Sequence, residues 1–252
     1  GSSAVSPLPA SSNLLPFPPT AKTIADAVSV PPGYTVSVLH ATGDRLFSSI
    51  PSYSNLGTEA DDFSRRVGAH HDGMPLFYIG ATGKVSYTST NKAVLVVNHE
   101  SSADADFLHT RGQTSAGVSG KRFDQFGQWD LGARPGLEVL KEINLHGVSV
   151  AEISLDAAGR PTGYVVDSPL NRRITPETLC DVRGPAAHLA GIRGQFATRF
   201  DPTGATARGT LNNCGHGYTP WGTYLTCEEN WATYFSMPAN AIAPDAKTAA
   251  SR

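Results

Sequence analysis

The chain of 252 residues carries a formal net charge of -2, with 17% charged residues, 25 glycines and 18 prolines. It is long enough to bury a sizeable core as one large domain or two small ones, and its charge balance gives no general attraction to nucleic acid or to an anionic membrane. No apolar run approaches the roughly 20 residues that cross a bilayer, so no membrane span is expected, and low charge with abundant turn formers favours a turn-rich, mostly β protein.

The first twenty residues, GSSAVSPLPASSNLLPFPPT, are Ser/Pro-rich, uncharged and too polar for the apolar region of a signal peptide. They read as the start of a mature exported protein or as a leading Gly-Ser left from cloning, and residues 1–30 are expected to be an extended N-terminus. TAKTIADAV (20–28) predicts a short helix. GYTVSVLHA (33–41) and FYIGA (77–81) alternate with period two and predict strands. KAVLVVNHE (92–100) is a nearly continuous β-branched run, as in a strand buried on both faces. Residues 101–135 read as polar loops or insertions. VSVAEISLDAAGRPTGYVVDS (148–168) has the form of a hairpin, two alternating runs joined by DAAGRP. TPETLCDV (175–182) opens with a capping-box pattern at Thr175 and predicts a helix, and GTYLTCEEN (222–230) predicts a strand that ends on carboxylates. The Ala/Pro-rich segment 236–252 stops on Arg252 as an exposed loop cut by a protease would, so the chain is expected to be the N-terminal part of a longer protein. Short strands and few helices indicate an all-β fold: sandwich, barrel or propeller. No strict repeat selects among them.

The chemistry-bearing residues gather in a few places. Cys180, Cys214 and Cys227 are too few for a disulfide scaffold, and their odd number leaves at least one free or metal-bound. In NNCGHGYTPWGTYLTCEEN (212–230), Cys214, His216 and Cys227 offer zinc ligands, but the spacing lacks the paired C-x-x-C of structural zinc. A Cys214–Cys227 bridge is the alternative. Glu228 and Glu229 end one apolar strand, and Asn98, His99 and Glu100 end another. Asn98 and Glu100 stand two apart, hence on one face. Carboxylates gathered at a common mouth of strand ends need a cation, and oxygen donors suit calcium or ferric iron better than zinc. Asp72 precedes Gly73 and fits either a turn or a ligand. His70 and His71 read as loop residues. Arg172 and Arg173 suit phosphate recognition or simple surface pairing.

The blocks LVVNHE, DSPLNRRIT, CDVRGPAAH and above all TPWGTYLTCEEN resemble the PhoX-type alkaline phosphatases, from about residue 68 to 232. The resemblance implies a six-bladed β-propeller, of which residues 1–252 supply roughly the N-terminal half. It also implies export to the periplasm or beyond by the twin-arginine route. The implied activity is hydrolysis of phosphate monoesters of broad specificity by a mixed iron and calcium cluster at the propeller mouth. On this pattern Glu100 and one or both of Glu228 and Glu229 are ligands, Asp72 is a weaker match, and Cys214 is the available iron-bound cysteine. Arg172 or Arg173 assists phosphate binding or pairs with a neighbouring blade. Family members are about twice this length, so a C-terminal fragment of the same protein is the expected partner, and it would carry the remaining ligands. Two readings stand beside this one: a calcium-dependent propeller hydrolase of another class, lactonase or phosphotriesterase, and a non-catalytic, metal-stabilised binding propeller.

Overall fold

The computed structural model describes residues 17–102, 105–109, 113–115, 118–121, 134–230 and 234. The chain divides into two compact units, Gly1–Val38 and Leu39–Arg252. In the described part of the first, Phe17 and Tyr34 meet edge to face with ring centroids 5.1 Å apart. The expected helix over 20–28 is replaced by bends, with the Ala25 amide donating to Thr23 Oγ1. A nine-residue segment gains too few hydrogen bonds to repay helix nucleation without a packed apolar face. The expected strand over 33–41 likewise joins no ladder.

The second unit is built on a six-stranded antiparallel sheet. Its strands are β1 (Leu76–Ile79), β2 (Val85–Ser86), β3 (Ala93–His99), β6 (Gly147–Leu155), β7 (Pro161–Tyr164) and β8 (Arg172–Ile174). The order is β2-β1-β3-β6-β7, with β8 also on β6. All seven residues of β3 are buried, as its continuous apolar run predicts. Its register on β6 runs from Ala93 opposite Ile153 to His99 opposite Gly147. Alternation then sorts the side chains into two cores. Phe77, Ile79, Val94, Val96, Val148 and Val150 fill one face. Leu95, Val97 and Ile153 fill the other, where Leu46, Val67 and Ala151 also pack together. Each such side chain contributes about 1.5–3 kcal/mol on burial, so the central pair of strands is the rigid frame of the unit.

Smaller elements surround this sheet. They are a 3₁₀ turn (Ala105–Leu108), the ribbon β4 (Gln113–Ser115) with β5 (Val118–Lys121), α1 (Gly136–Ile143), β9 (Leu179–Asp181), α2 (Ala190–Phe196) and β10 (Thr206–Arg208). The hairpin β11 (Asn213–Tyr218) and β12 (Tyr224–Glu228) follows, with an irregularity between Asn213 and His216. It packs on the first core through Tyr218 and Tyr224, whose rings lie edge-on to Phe77 at 5.3 and 6.5 Å.

Residues 175–182 are not a helix. The Thr175 amide donates to Thr178 Oγ1 and the Glu177 amide to Thr175 Oγ1, so the reciprocal capping bonds form. The chain then turns into β9, which pairs with β10. Capping bonds stabilise one turn, but no apolar stripe follows to carry a helix onward, and the ladder wins. Residues 236–252, most of 101–135 and the first sixteen residues lie outside the described set, and with them the expected cleavage loop. Described strands are short, antiparallel and dominant over helices, as expected of the all-β class.

Candidate metal centre

The site forms where β3 ends. Segment 70–73 runs antiparallel beside it, with His71 opposite His99. The Asp72 amide donates to the Asn98 carbonyl at 3.0 Å, the Asn98 amide to the Gly73 carbonyl at 2.9 Å, and the Glu100 amide to the His70 carbonyl at 3.0 Å. This register puts Asp72 across from Asn98, and Glu100 two residues along the same face. His71 and His99 consequently belong to the opposite face.

Asn98 then brings in the third component. Its Nδ2 donates to the carbonyls of Cys214 (2.8 Å) and Gly215 (3.2 Å), while its Oδ1 accepts from the Tyr224 and Thr226 hydroxyls at 2.7 and 2.9 Å. One buried amide therefore fixes both strands of the β11–β12 hairpin over the sheet face. With its oxygen committed to two hydroxyls, Asn98 acts as a strut beneath the site. Held this way, ligand atoms of Asp72, Glu100 and Cys214 all lie within 4.8 Å of one another.

A second clamp sits two residues before Cys214. Asn212 adopts a left-handed φ of 50°, a conformation in which asparagine is enriched. Its Nδ2 donates to the Glu100 carbonyl at 2.9 Å, its carbonyl accepts the Glu229 amide at 3.0 Å, and its Oδ1 accepts the Asn230 amide. Glu100 and Glu229 are thus tied to one residue, and both carboxylates reach the Cys214 thiol. Burial, together with hydrogen bonds to Glu229 and Glu100, pushes that thiol far above its ordinary value. A thiol crowded by carboxylates is a poor thiolate by itself and a good one beside a cation.

The other expected residues separate. Glu228 is exposed, and its Oε1 accepts from the Thr210 hydroxyl (2.9 Å) and the Leu211 amide (3.0 Å), bracing the loop before β11. Arg172 is exposed at the register position opposite Val150, outside the trio. Its neighbour Arg173 is a half-buried support. Its guanidinium donates to the carbonyls of Arg66, Val148, Ile174, Asn144 and His146, and burial brings its pKa down to about 9. No disulfide forms, since Cys180, Cys214 and Cys227 are all free. The zinc set does not assemble either. Cys227 is exposed on β12, and His216 lies against Gly73 instead of joining Cys214 in a ligand group.

Asn212 and Gly73 escaped sequence reasoning as parts of this site, and His216 entered it only as a zinc donor. Their only signal was membership of NNCGHG and of the Asp-Gly pair. A second group of possible ligands, His109, Glu138 and Glu142, gathers at α1. There the Arg134 guanidinium already bridges Glu138 and Glu142 at 2.5 Å each. That charge is compensated, whereas among the described residues no ion pair to Asp72 or Glu100 is observed.

Comparison with known proteins fits this geometry. The model of the family described as alkaline phosphatase PhoX matches residues 15–250. The chain belongs to the PhoX alkaline phosphatase family. No curated protein matches. Among solved structures it is similar to Pseudomonas fluorescens PhoX in complex with vanadate, a transition state analogue, with 28% identity and a TM-score of 0.68. That likeness covers 93% of this chain and 35% of the solved one, so the chain spans about a third of the length of that PhoX structure.

The donor set suits the metals expected of a PhoX protein. Two carboxylates and a thiol, with a third carboxylate at the thiol, offer hard oxygen donors for calcium together with one sulfur suited to iron. A bound cation would favour such a gathering of carboxylates and thiol.

Proposed function

We propose that this chain forms part of a metal-dependent phosphomonoesterase, with Asp72, Glu100, Cys214 and Glu229 contributing to a mixed iron and calcium centre. The observation that carries this reading is the convergence of Asp72, Glu100 and Cys214, from three separate segments, within 4.8 Å. Membership of the PhoX family supports the reaction class, as does the likeness to a relative captured with vanadate. In this reading the short antiparallel sheets belong to a β-propeller, completed by a further part of the same protein that brings additional ligands. Family membership likewise favours export to the periplasm or beyond.

When bound, such a centre supplies positive charge that draws in the phosphate ester and stabilises charge developing on the phosphoryl group. The chain's own residues do the preparatory work. Asp72 and Glu100 hold their carboxylates on one face of a rigid ladder. Asn98 and Asn212 fix the hairpin so that Cys214 and Glu229 meet them. The His146 ring is kept neutral by burial, with its pKa down to about 4, and its Nδ1 lies 3.0 Å from the Glu100 carbonyl, further restraining that residue. Arg172, exposed on the face shared with Val96 and Asn98, is available to steer the phosphate dianion inward.

The purified protein is expected to hydrolyse 4-nitrophenyl phosphate, to lose that activity with a strong chelator, and to regain it when iron and calcium are restored. Glu100→Gln and Cys214→Ala should each cut both bound metal and turnover by at least about a hundredfold. Undiminished hydrolysis by metal-free protein, or by the Glu100→Gln/Cys214→Ala double variant, would sink the assignment.

A further inference from the structure

We propose that His216 contacts the substrate: its imidazole, laid against the backbone of Gly73 beside Asp72, donates a hydrogen bond to a phosphoryl oxygen of a monoester held at the Asp72–Glu100–Cys214 cluster. This rests on the phosphomonoesterase reading and adds a residue to it.

Gly73 is what permits the placement. A Cβ built on it would lie 2.5 Å from His216 Nδ1, 2.8 Å from Cγ and 2.9 Å from Cβ, closer than real Cβ atoms come. Any other residue after Asp72 would therefore push the ring away. Tyr224 stacks on the imidazole at 18° with centroids 6.1 Å apart. Tyr224 is itself pinned by its hydroxyl on Asn98 Oδ1 at 2.7 Å. The ring therefore meets two parts of the site's own framework, and its Nδ1 edge is the one nearest Gly73.

Two ordinary explanations fall short. A histidine retained for packing is normally buried or hydrogen-bonded. His216 is exposed, and among the described residues its ring nitrogens take part in no hydrogen bond. A metal ligand would join the cluster, and His216 lies outside the group formed by Asp72, Glu100 and Cys214. What remains is an oriented N–H donor laid against the residue that follows Asp72. A neutral imidazole always carries one N–H, so the role requires no change of protonation. The outer oxygens of a phosphate bound through cations are acceptors that face away from the metals, and a fixed donor matches them.

The test uses protein loaded with iron and calcium, with inorganic phosphate as probe. Affinity is read by calorimetry, contact by the His216 ring resonances in nitrogen-edited NMR, and metal content by elemental analysis. His216→Ala is expected to weaken phosphate binding by about tenfold with metal content unchanged. His216→Asn, which keeps an N–H, should recover part of it, and the wild-type ring resonances should shift on titration. Equal phosphate affinity in wild type and His216→Ala overturns the proposal alone, as does metal loss in His216→Ala. Wild-type protein that takes up metal but binds no phosphate overturns the phosphomonoesterase reading and this inference with it.

Discussion

Arg173 shows how one residue supports a site from below. Its guanidinium serves five backbone carbonyls drawn from the segment before the site, from α1's C-terminal turn and from β6 and β8. Removing it leaves those half-buried acceptors without their partner, at up to about 1–3 kcal/mol each before relaxation. Arg173→Met is therefore expected to destabilise the protein by about 3 kcal/mol or more, measured by urea unfolding, whereas Arg172→Met should change stability by less than about 0.5 kcal/mol. Equal losses at the two positions would contradict this division of labour. In the sequence the two arginines are indistinguishable. Only the parity of β8 sends Arg172 to one face and Arg173 to the other, and parity is fixed by pairing with β6. The site residues divide the same way. Glu100 was legible because it ends a strongly apolar strand. The neighbourhood of Gly73 and His216 was not, because it depends on where a hairpin lands after more than a hundred residues of chain.

At the scale of elements, what the sequence revealed follows burial. β3 and the β6–β7 hairpin were readable because their periodicity is the periodicity of the core they fill. α1 and α2 were not, since α2 buries no side chain and α1 starts without a side-chain cap. The most consequential contact between elements is the Asn98 amide under the β11–β12 hairpin. Asn98→Asp keeps an oxygen for the two hydroxyls but loses the donor to the Cys214 and Gly215 carbonyls. It also sets a buried carboxylate against those carbonyl oxygens. It should lower stability by about 2–4 kcal/mol, make the 213–228 hairpin the first site of limited proteolysis, and reduce metal uptake. If Asn98 served as a ligand instead of a strut, the added charge would hold calcium at least as well as wild type. Metal titration of the two proteins separates these outcomes.

For the whole molecule, stability should follow pH through a buried imidazole stack on the face opposite the acidic cluster. His40 and His71 have ring centroids 5.4 Å apart, and His71 and His99 5.0 Å. Among the described residues, neither nitrogen of His40 has a hydrogen-bond partner, nor has His71 Nε2 or His99 Nδ1. Burial lowers all three, His71 to about 4 and His99 well below its ordinary value, and nearby positive charge from Arg173 adds to the lowering at His71 and His99. In the unfolded chain these rings take up protons near pH 6.5, while in the folded protein His71 stays neutral until about pH 4, and burial holds His40 and His99 below their ordinary value as well. The unfolded state thus binds more protons between those values. Stability is fully present above about pH 6.5 and is lost as pH falls toward 4, by up to about 1.4 kcal/mol per pH unit for each ring. Thermal midpoints recorded from pH 7.5 to pH 5 should be level at first and then decline. His40→Phe, which keeps a ring between His71 and Tyr164 (centroid 6.0 Å from His40), should decline less steeply because one proton site is gone. A wild-type midpoint that stays level down to pH 5, or a His40→Phe slope equal to the wild type's, would show that the stack contributes nothing to acid sensitivity. Because the stack and the acidic cluster sit on opposite faces of the same short ladder, this loss should also appear in metal-free protein. Repeating the series with and without chelator separates the imidazole contribution from protonation of the metal ligands.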